Sequence, residues 1–286
     1  MRVPLALPKI PSPWQGVGLG CRSHCATGKS AGVDRFHPSS NSLPSKEGEN
    51  QPPAGRHKVT QKLVDPAPRL DRAAIAKRAA RDLVDGSTVN LGIGIPAMCA
   101  NFLPVGIELR YHAENGVLGF EDLAAPGEGD PDLMEAGGKF PRRVPGMAFF
   151  DSVESFSLIR GGHIDVAVLG ALQVSRIGDL ANWMIPKRGI GSIGGAMDLA
   201  ANAKRVLVAM EHTARGDIAK IVDVCTFPLT APTCVDEIVT DIAVIEVDKD
   251  RGRLILREVA PGWSFDDVQA RTEAGLVTDG EIGQMT

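Results

Sequence analysis

Hydrophobic and polar positions divide the chain into two unlike parts. Through residues 1–69 no apolar period is sustained, and the text runs through PSPWQG, HPSSNSLPSKEGENQPPAG and DPAP. A segment so rich in Pro, Gly and Ser cannot bury enough apolar surface to offset the entropy of ordering it. Residues 1–69 are therefore predicted to be a disordered or non-native leader, and residues 70–286 the folded domain. The first 33 residues contain no Asp or Glu, as a mitochondrial presequence would. The prolines and the missing amphipathic stripe favour a vector leader or a start codon placed too far upstream.

From Leu70 the pattern becomes regular. LDRAAIAKRAARDLVDG predicts an alanine-rich helix, capped by Asp71 and closed at Gly86. STVNLGIGIP reads as a short strand running into a glycine loop. IELRYHAENG alternates apolar and polar residues and ends on Asn-Gly, a turn signal. Asp151 and Glu154 have capping-box spacing ahead of the helix SVESFSLIR, which Gly161 and Gly162 close. HIDVAVLGAL and AKRVLVAM are nearly continuous apolar runs, as strands covered on both faces must be. IAVIEV and RLILREV flank DKDRG and predict a hairpin, and WSFDDVQARTEAG predicts a closing helix. Interleaved helices and buried strands define an α/β class: a three-layer, open, largely parallel sheet flanked by helices.

Composition narrows the partners more than the fold. The net charge of −4 combines a basic leader with an acidic body. Residues 1–70 hold ten Lys or Arg against four Asp or Glu, or +6; residues 71–286 hold 21 against 31, or −10. An acidic body with a single tyrosine argues against nucleic-acid binding. No apolar run reaches the roughly eighteen residues a membrane helix needs. Five scattered cysteines without a CxxC pair suit a reducing compartment, and the expected location is the cytoplasm. Cys21, His24 and Cys25 lack a second pair to complete a metal site, so no metal is expected. ATGKS at 26–30 has Ser23 where a phosphate-binding loop needs its first glycine, and no apolar strand precedes it.

In open α/β sheets the ligand crevice lies beyond the carboxyl ends of the strands. Three strings fall there: GIGIP with Gly92 and Gly94, ENG with Glu114, Asn115 and Gly116, and GSIGGAMD with Gly194 and Gly195. N–H groups at the helix start after Gly195 suit a developing oxyanion or a phosphate. Each string also has a plainer reading. Glycine pairs serve turns, a Glu before Asn-Gly is often a solvated turn residue, and Asp198 is placed to cap or close a loop. His112, His163 and His212 show no metal-ligand spacing. The residues alone thus give an enzyme-like α/β domain with a glycine-lined crevice and a carboxylate at its edge, and no particular reaction.

At these strings the sequence resembles the B subunit of the 3-oxoacid (succinyl-CoA:acetoacetate type) CoA-transferases. NLGIGIP, AENGVLG, PGMAFFDSVESFSLIRGGHIDVAVLGALQVS, GDLANWMIP, IGGAMDL, VAMEHTARG and PLT follow in family order over most of residues 70–260. The resemblance implies that Glu114 is the nucleophile, passing through a glutamyl-CoA thioester in a ping-pong transfer from succinyl-CoA to a 3-oxoacid such as acetoacetate. It implies an oxyanion donor at the Gly195 N–H, with Gly194 beside it. Gly92, Gly94, Asn115 and Gly116 would lie on the substrate side. Coenzyme A enters as a thioester substrate, no resident cofactor is implied, and a partner A subunit completes a hetero-oligomer, expected as A2B2. The chemistry suits a carboxylate, because only a carboxyl can become an acyl carrier and return intact. Two departures stand out: Ala113 replaces the usual Ser before ENG, and the loops at 120–143 and 187–192 differ. Related B subunits for 3-oxoadipate, acetate or butyrate share the same strings. A sugar-phosphate-binding regulator on a similar fold would need neither ENG nor GGAMD. A third alternative, a binding half whose chemistry lies in its partner, would leave Glu114 dispensable.

Overall fold

The computed structural model describes residues 63–121, 123–125, 127–189, 191–192 and 194–286; most of the predicted leader lies outside them. The predicted domain start at Leu70 falls a few residues inside the packed body. Arg69 Nε reaches Asp65 Oδ2 at 2.7 Å and its Nη1 reaches Asp241 Oδ2 at 3.2 Å. Asp65 also accepts from Arg271, whose guanidinium lies 4.7 Å from the centre of the Trp263 ring. These charges fix DPAPR against the sheet, where composition alone suggests only a loop.

In chain order the elements are α1 (Arg72–Ala80), β1 (Thr88–Leu91), α2 (Ile95–Met98), β2 (Arg110–Ala113), β3 (Val117–Phe120), β4 (Ala148–Phe149), α3 (Ser152–Arg160) and β5 (Val166–Leu169). Then come β6 (Gln173–Ser175), β7 (Leu180–Ala181), α4 (Ala196–Asn202), β8 (Arg205–Ala209), β9 (Thr213–Ala214), β10 (Ile218–Ala219) and β11 (Ile221–Val222). The chain closes with β12 (Glu237–Val239), β13 (Ala243–Asp248), β14 (Arg253–Val259), α5 (Phe265–Gln269), β15 (Leu276–Val277) and β16 (Gly283–Gln284). The main sheet runs β15-β14-β13-β12-β8-β5-β1-β2-β3-β4, with β16 also on β14. Its centre, β12-β8-β5-β1-β2, is wholly parallel. Beyond it both flanks turn antiparallel, through β2-β3-β4 on one side and β12-β13-β14 on the other. Short turns begin this: those through Asn115-Gly116 and through residues 240–242 reverse the chain without room for a crossover.

Helices flank the sheet in two groups. α1 packs on β8 and β12 and beside α2, whereas α3 packs on α4, and α4 on β5. All four residues of β5 are buried, as its unbroken apolar run predicted. Burying each Val or Leu there stabilises the fold by about 1.5–3 kcal/mol. Asp71 caps α1, accepting from the Ala74 N–H at 2.7 Å. The helix stops at Ala80, short of the expected Gly86, because the next N–H groups bond three residues back and tighten the chain: Asp82 to Ala79 at 3.2 Å and Leu83 to Ala80 at 3.3 Å. Gly86, at φ +75°, serves the following turn instead. Asp151 caps α3 as predicted, accepting from the Glu154 N–H at 2.9 Å. The closing helix is brief, five residues held by a full capping box between Ser264 and Asp267. No helix among the described residues is long and apolar enough to cross a membrane.

Because β1, β2, β5 and β8 are parallel, their carboxyl ends share one edge. The chain leaves β1 for β2 on one side and returns to β5 on the other. That reversal of strand order is where an open α/β sheet leaves a crevice.

Candidate active site

Two register facts build the site. Asn90 on β1 pairs with His112 on β2. Glu114 follows two residues after His112, so strand alternation sends both side chains to the same side. Glu114 is the first residue past β2 and is half-buried at the edge of a crevice of about 390 Å³. Asn90, Gly92, Leu169, Asn182, Gly194 and Gly195 also line that crevice.

The carboxylate is held from two directions. Asn90 Nδ2 donates to Glu114 Oε2 at 3.2 Å. The backbone ahead of α4 also comes close: a Cβ built on Gly195 would stand 3.1 Å from Glu114 Cγ and 3.3 Å from the Phe156 ring. Any larger residue here would crowd Glu114 and oblige it or Phe156 to give by a few tenths of an ångström. Among the described residues the Gly195 N–H donates to no group. Arg160 Nε donates to Asp198 Oδ1 at 2.7 Å and so ties α3 to the first turn of α4. Asp198 therefore joins two helices.

Behind Glu114 lies a buried polar chain. Asn90 Nδ2 also stands 3.1 Å from the His112 carbonyl and 3.2 Å from His112 Nδ1. His112 Nε2 meets Ser155 Oγ of α3 at 3.0 Å. The imidazole stacks on Phe150, with centroids 6.3 Å apart. Burial pushes its pKa down to about 4, so it is neutral near pH 7.

The other predicted residues take different places. The Gly92 N–H is committed to Val168 O at 2.8 Å, and a Cβ there would stand 3.1 Å from the same oxygen. Gly92 is thus demanded by its approach to β5. Gly94, at φ +92°, precedes α2 and lines a neighbouring cavity of about 150 Å³ with Arg72, Glu211 and Lys220. Burial pushes Lys220 down to about 8. Asn115 is exposed and donates to Met134 O at 2.6 Å, holding the following loop. Gly116, at φ +112°, leaves no room for a side chain: a Cβ would fall 1.9 Å from Phe150 O. His163 lies at the end of α3, and His212 is buried between Thr240 and Thr272, at 3.0 and 2.9 Å. Among the described residues no group of three His, Cys, Asp or Glu could hold a metal.

Sequence reasoning passed over Asn90 and Ser155 and set His112 aside. A signal was available for Asn90. It interrupts the apolar strand TVNL at a position 1% exposed, and a buried amide requires partners. Nothing in the sequence said which partners.

The fold and crevice define an α/β enzyme domain with one carboxylate set against a glycine backbone at the strand ends. The family described as Coenzyme A transferase matches residues 72–271, and the chain belongs to that family. The beta chain of the acetate CoA-transferase of Escherichia coli K12 is 48% identical over 201 residues, which cover 70% of this chain and 90% of that protein. The B subunit of the succinyl-CoA:3-ketoacid coenzyme A transferase of Helicobacter pylori 26695 is 46% identical over 203 residues, covering 71% of this chain and 97% of that protein. Among solved structures, the acyl-CoA transferase YdiF apoenzyme of E. coli O157:H7 superposes with a TM-score of 0.59 at 21% identity. That likeness is one of fold. It covers 78% of this chain and 44% of the longer YdiF chain.

Proposed function

We propose that this chain is the B subunit of a CoA-transferase that moves CoA from succinyl-CoA to a 3-oxo acid such as acetoacetate, with Glu114 as the carrier. The observation that carries the reading is the closeness of Gly195 to Glu114, which brings the main chain ahead of α4 against the one carboxylate among the described residues of the crevice.

The steps balance without an external acid or oxidant. A Glu114 carboxylate oxygen attacks the thioester carbonyl, the C–S bond breaks, and a mixed anhydride and CoA thiolate result. The thiolate attacks the Glu114 carbonyl, the anhydride C–O bond on the enzyme side breaks, and the first acid leaves as its carboxylate. A glutamyl-CoA thioester remains, and a second acid runs both steps in reverse. Each attack builds negative charge on an oxygen, which in this reading the Gly195 N–H and the Asn90 amide stabilise. Gly194 widens the crevice mouth, since nothing lies within 4 Å of a Cβ built on it.

An A subunit supplies the other wall in this reading, and the assembly works in the cytoplasm as an A2B2 hetero-oligomer. The Helicobacter pylori relative, matched over 97% of its length, is itself named a B subunit, which supports a partner A subunit. The likeness to the E. coli acetate enzyme keeps a second acceptor in view.

The test is to recover the chain with its A subunit, add succinyl-CoA or acetoacetyl-CoA, and map peptide masses around Glu114. A CoA adduct on Glu114, absent in Glu114→Gln, is the expected result. Near-normal turnover by Glu114→Gln would sink the mechanism. A panel of acetoacetate, acetate, butyrate and 3-oxoadipate then reads the acceptor, and activity confined to 3-oxoadipate would overturn the choice of acid.

A further inference from the structure

The amide nitrogen of Asn90 has two protons, no free lone pair and three close neighbours. They are Glu114 Oε2 at 3.2 Å, the His112 carbonyl at 3.1 Å and His112 Nδ1 at 3.2 Å. Its two protons can serve all three as acceptors only if one proton is shared between two of them. For Nδ1 to accept, the single ring proton of neutral His112 must sit on Nε2, where it donates to Ser155 Oγ at 3.0 Å. Asn90, His112 and Ser155 are 1%, 2% and 0% exposed, so water does not supply substitute partners.

We propose that His112 is a positioning residue: held by Ser155 as the Nε2–H tautomer, it keeps the Asn90 amide turned with its N–H toward Glu114 throughout the catalytic cycle. The inference rests on the reading of Glu114 as carrier. In the resting enzyme the Glu114 carboxylate itself attracts the Asn90 N–H. Once Glu114 is acylated its charge is gone, and its oxygen is a weaker acceptor. The amide then has less reason to keep its orientation, and a flip would turn Asn90 Oδ1 toward the oxygen that must become negative. His112 Nδ1 does not change charge during the cycle. Its lone pair, together with the His112 carbonyl, repels Oδ1 and so penalises the flipped state when Glu114 no longer does.

Both half-reactions should suffer, since each includes attack on the carbonyl of acylated Glu114. With the assembled enzyme, His112→Phe is expected to lower kcat about tenfold with little change in KM, less than the roughly 100- to 1,000-fold of a donor removed outright. The glutamyl-CoA thioester on Glu114 should both form and break down more slowly than in the parent, by similar factors. In His112→Asn the side-chain amide falls where Nδ1 stands, and its oxygen can accept from Asn90, so most of the loss should be recovered. In His112→Gln the amide falls where Nε2 stands, and recovery should be smaller. Equal rates in the parent and His112→Phe, or an equal loss in all three variants, would reduce His112 to packing. The tautomer is read separately from the histidine ¹⁵N shifts of the full-length parent in its complex. A proton on Nδ1 would overturn the inference whatever the activity. If the parent forms no adduct on Glu114, the functional reading fails, and the ¹⁵N result still decides the hydrogen-bond chain.

Discussion

Gly195 and Glu114 are packed so closely that the hydrogen on the Gly195 Cα cannot become a methyl group without displacing the carboxylate stem, 3.1 Å away. The two residues are 81 positions apart in the chain. One stands at the turn between β2 and β3, and the other immediately precedes α4.

Gly195→Ala should therefore damage activity far more than stability. The new methyl must push Glu114 or Phe156 by a few tenths of an ångström, and displaced reacting groups cost up to roughly 100-fold in rate. Gly195 has φ −67°, which alanine adopts freely, so the melting temperature should hardly move. Steady-state kinetics beside a melting curve tests this; a folded variant with parental kcat would refute close packing as the reason for glycine.

Glu237 gives a prediction in pH. Arg205 Nη2 donates to its Oε2 at 2.7 Å, while Oε1 is buried without a hydrogen-bond partner among the described residues. Burial first, and then the neighbouring Asp82 carboxyl, push Glu237 from 4.5 up to about 7, against the pull of Arg205. A proton on Oε1 would give that atom a role toward Asp82. Since the folded value lies above the unfolded one, this contribution to stability is full below pH 4.5 and is lost as pH rises through 7. Buried His112 and His212 act in the opposite sense as pH falls below 6.5, so the comparison must be made with the parent at each pH. Glu237→Gln should gain on the parent by about 1–2 kcal/mol between roughly pH 5 and pH 8. A stability difference independent of pH, from denaturant melts, would refute the assignment.

At the other end of the domain, Asp65 sets a limit to truncation. Arg271, with a side chain 2% exposed, reaches Asp65 Oδ1 at 2.9 Å. A chain beginning at Leu63 should melt like the full-length protein. One beginning at Pro66 leaves Arg271 without this carboxylate and should lose roughly 1–3 kcal/mol. Equal melting temperatures for the two truncations would show that the pair contributes nothing.

Much of the architecture was legible in local pattern. The buried run of β5 needs no knowledge of the rest of the chain, because a strand covered on both faces must be apolar throughout. Asp71 and Asp151 announce their helices by a hydrogen bond only three residues long. Gly86 misled for the same reason: it marks a turn, but the helix had already ended through backbone bonds that no side chain advertises. The leader boundary slipped at Asp65, whose partner Arg271 lies 206 positions further along the chain.

By itself the sequence determined the α/β class, the hairpin after β2, and Glu114 and the Gly194–Gly195 pair as the places to look, since these depend on period, turn chemistry and short strings of residues. Only the tertiary structure decided that Asn90, His112 and Ser155 stand behind Glu114, that Gly92 serves its neighbouring strand, and that Gly94 faces another cavity. Those relations arise where β1, β2, α3 and α4 meet, and contacts among separate elements are set by how the sheet orders its strands. No local spacing records that order.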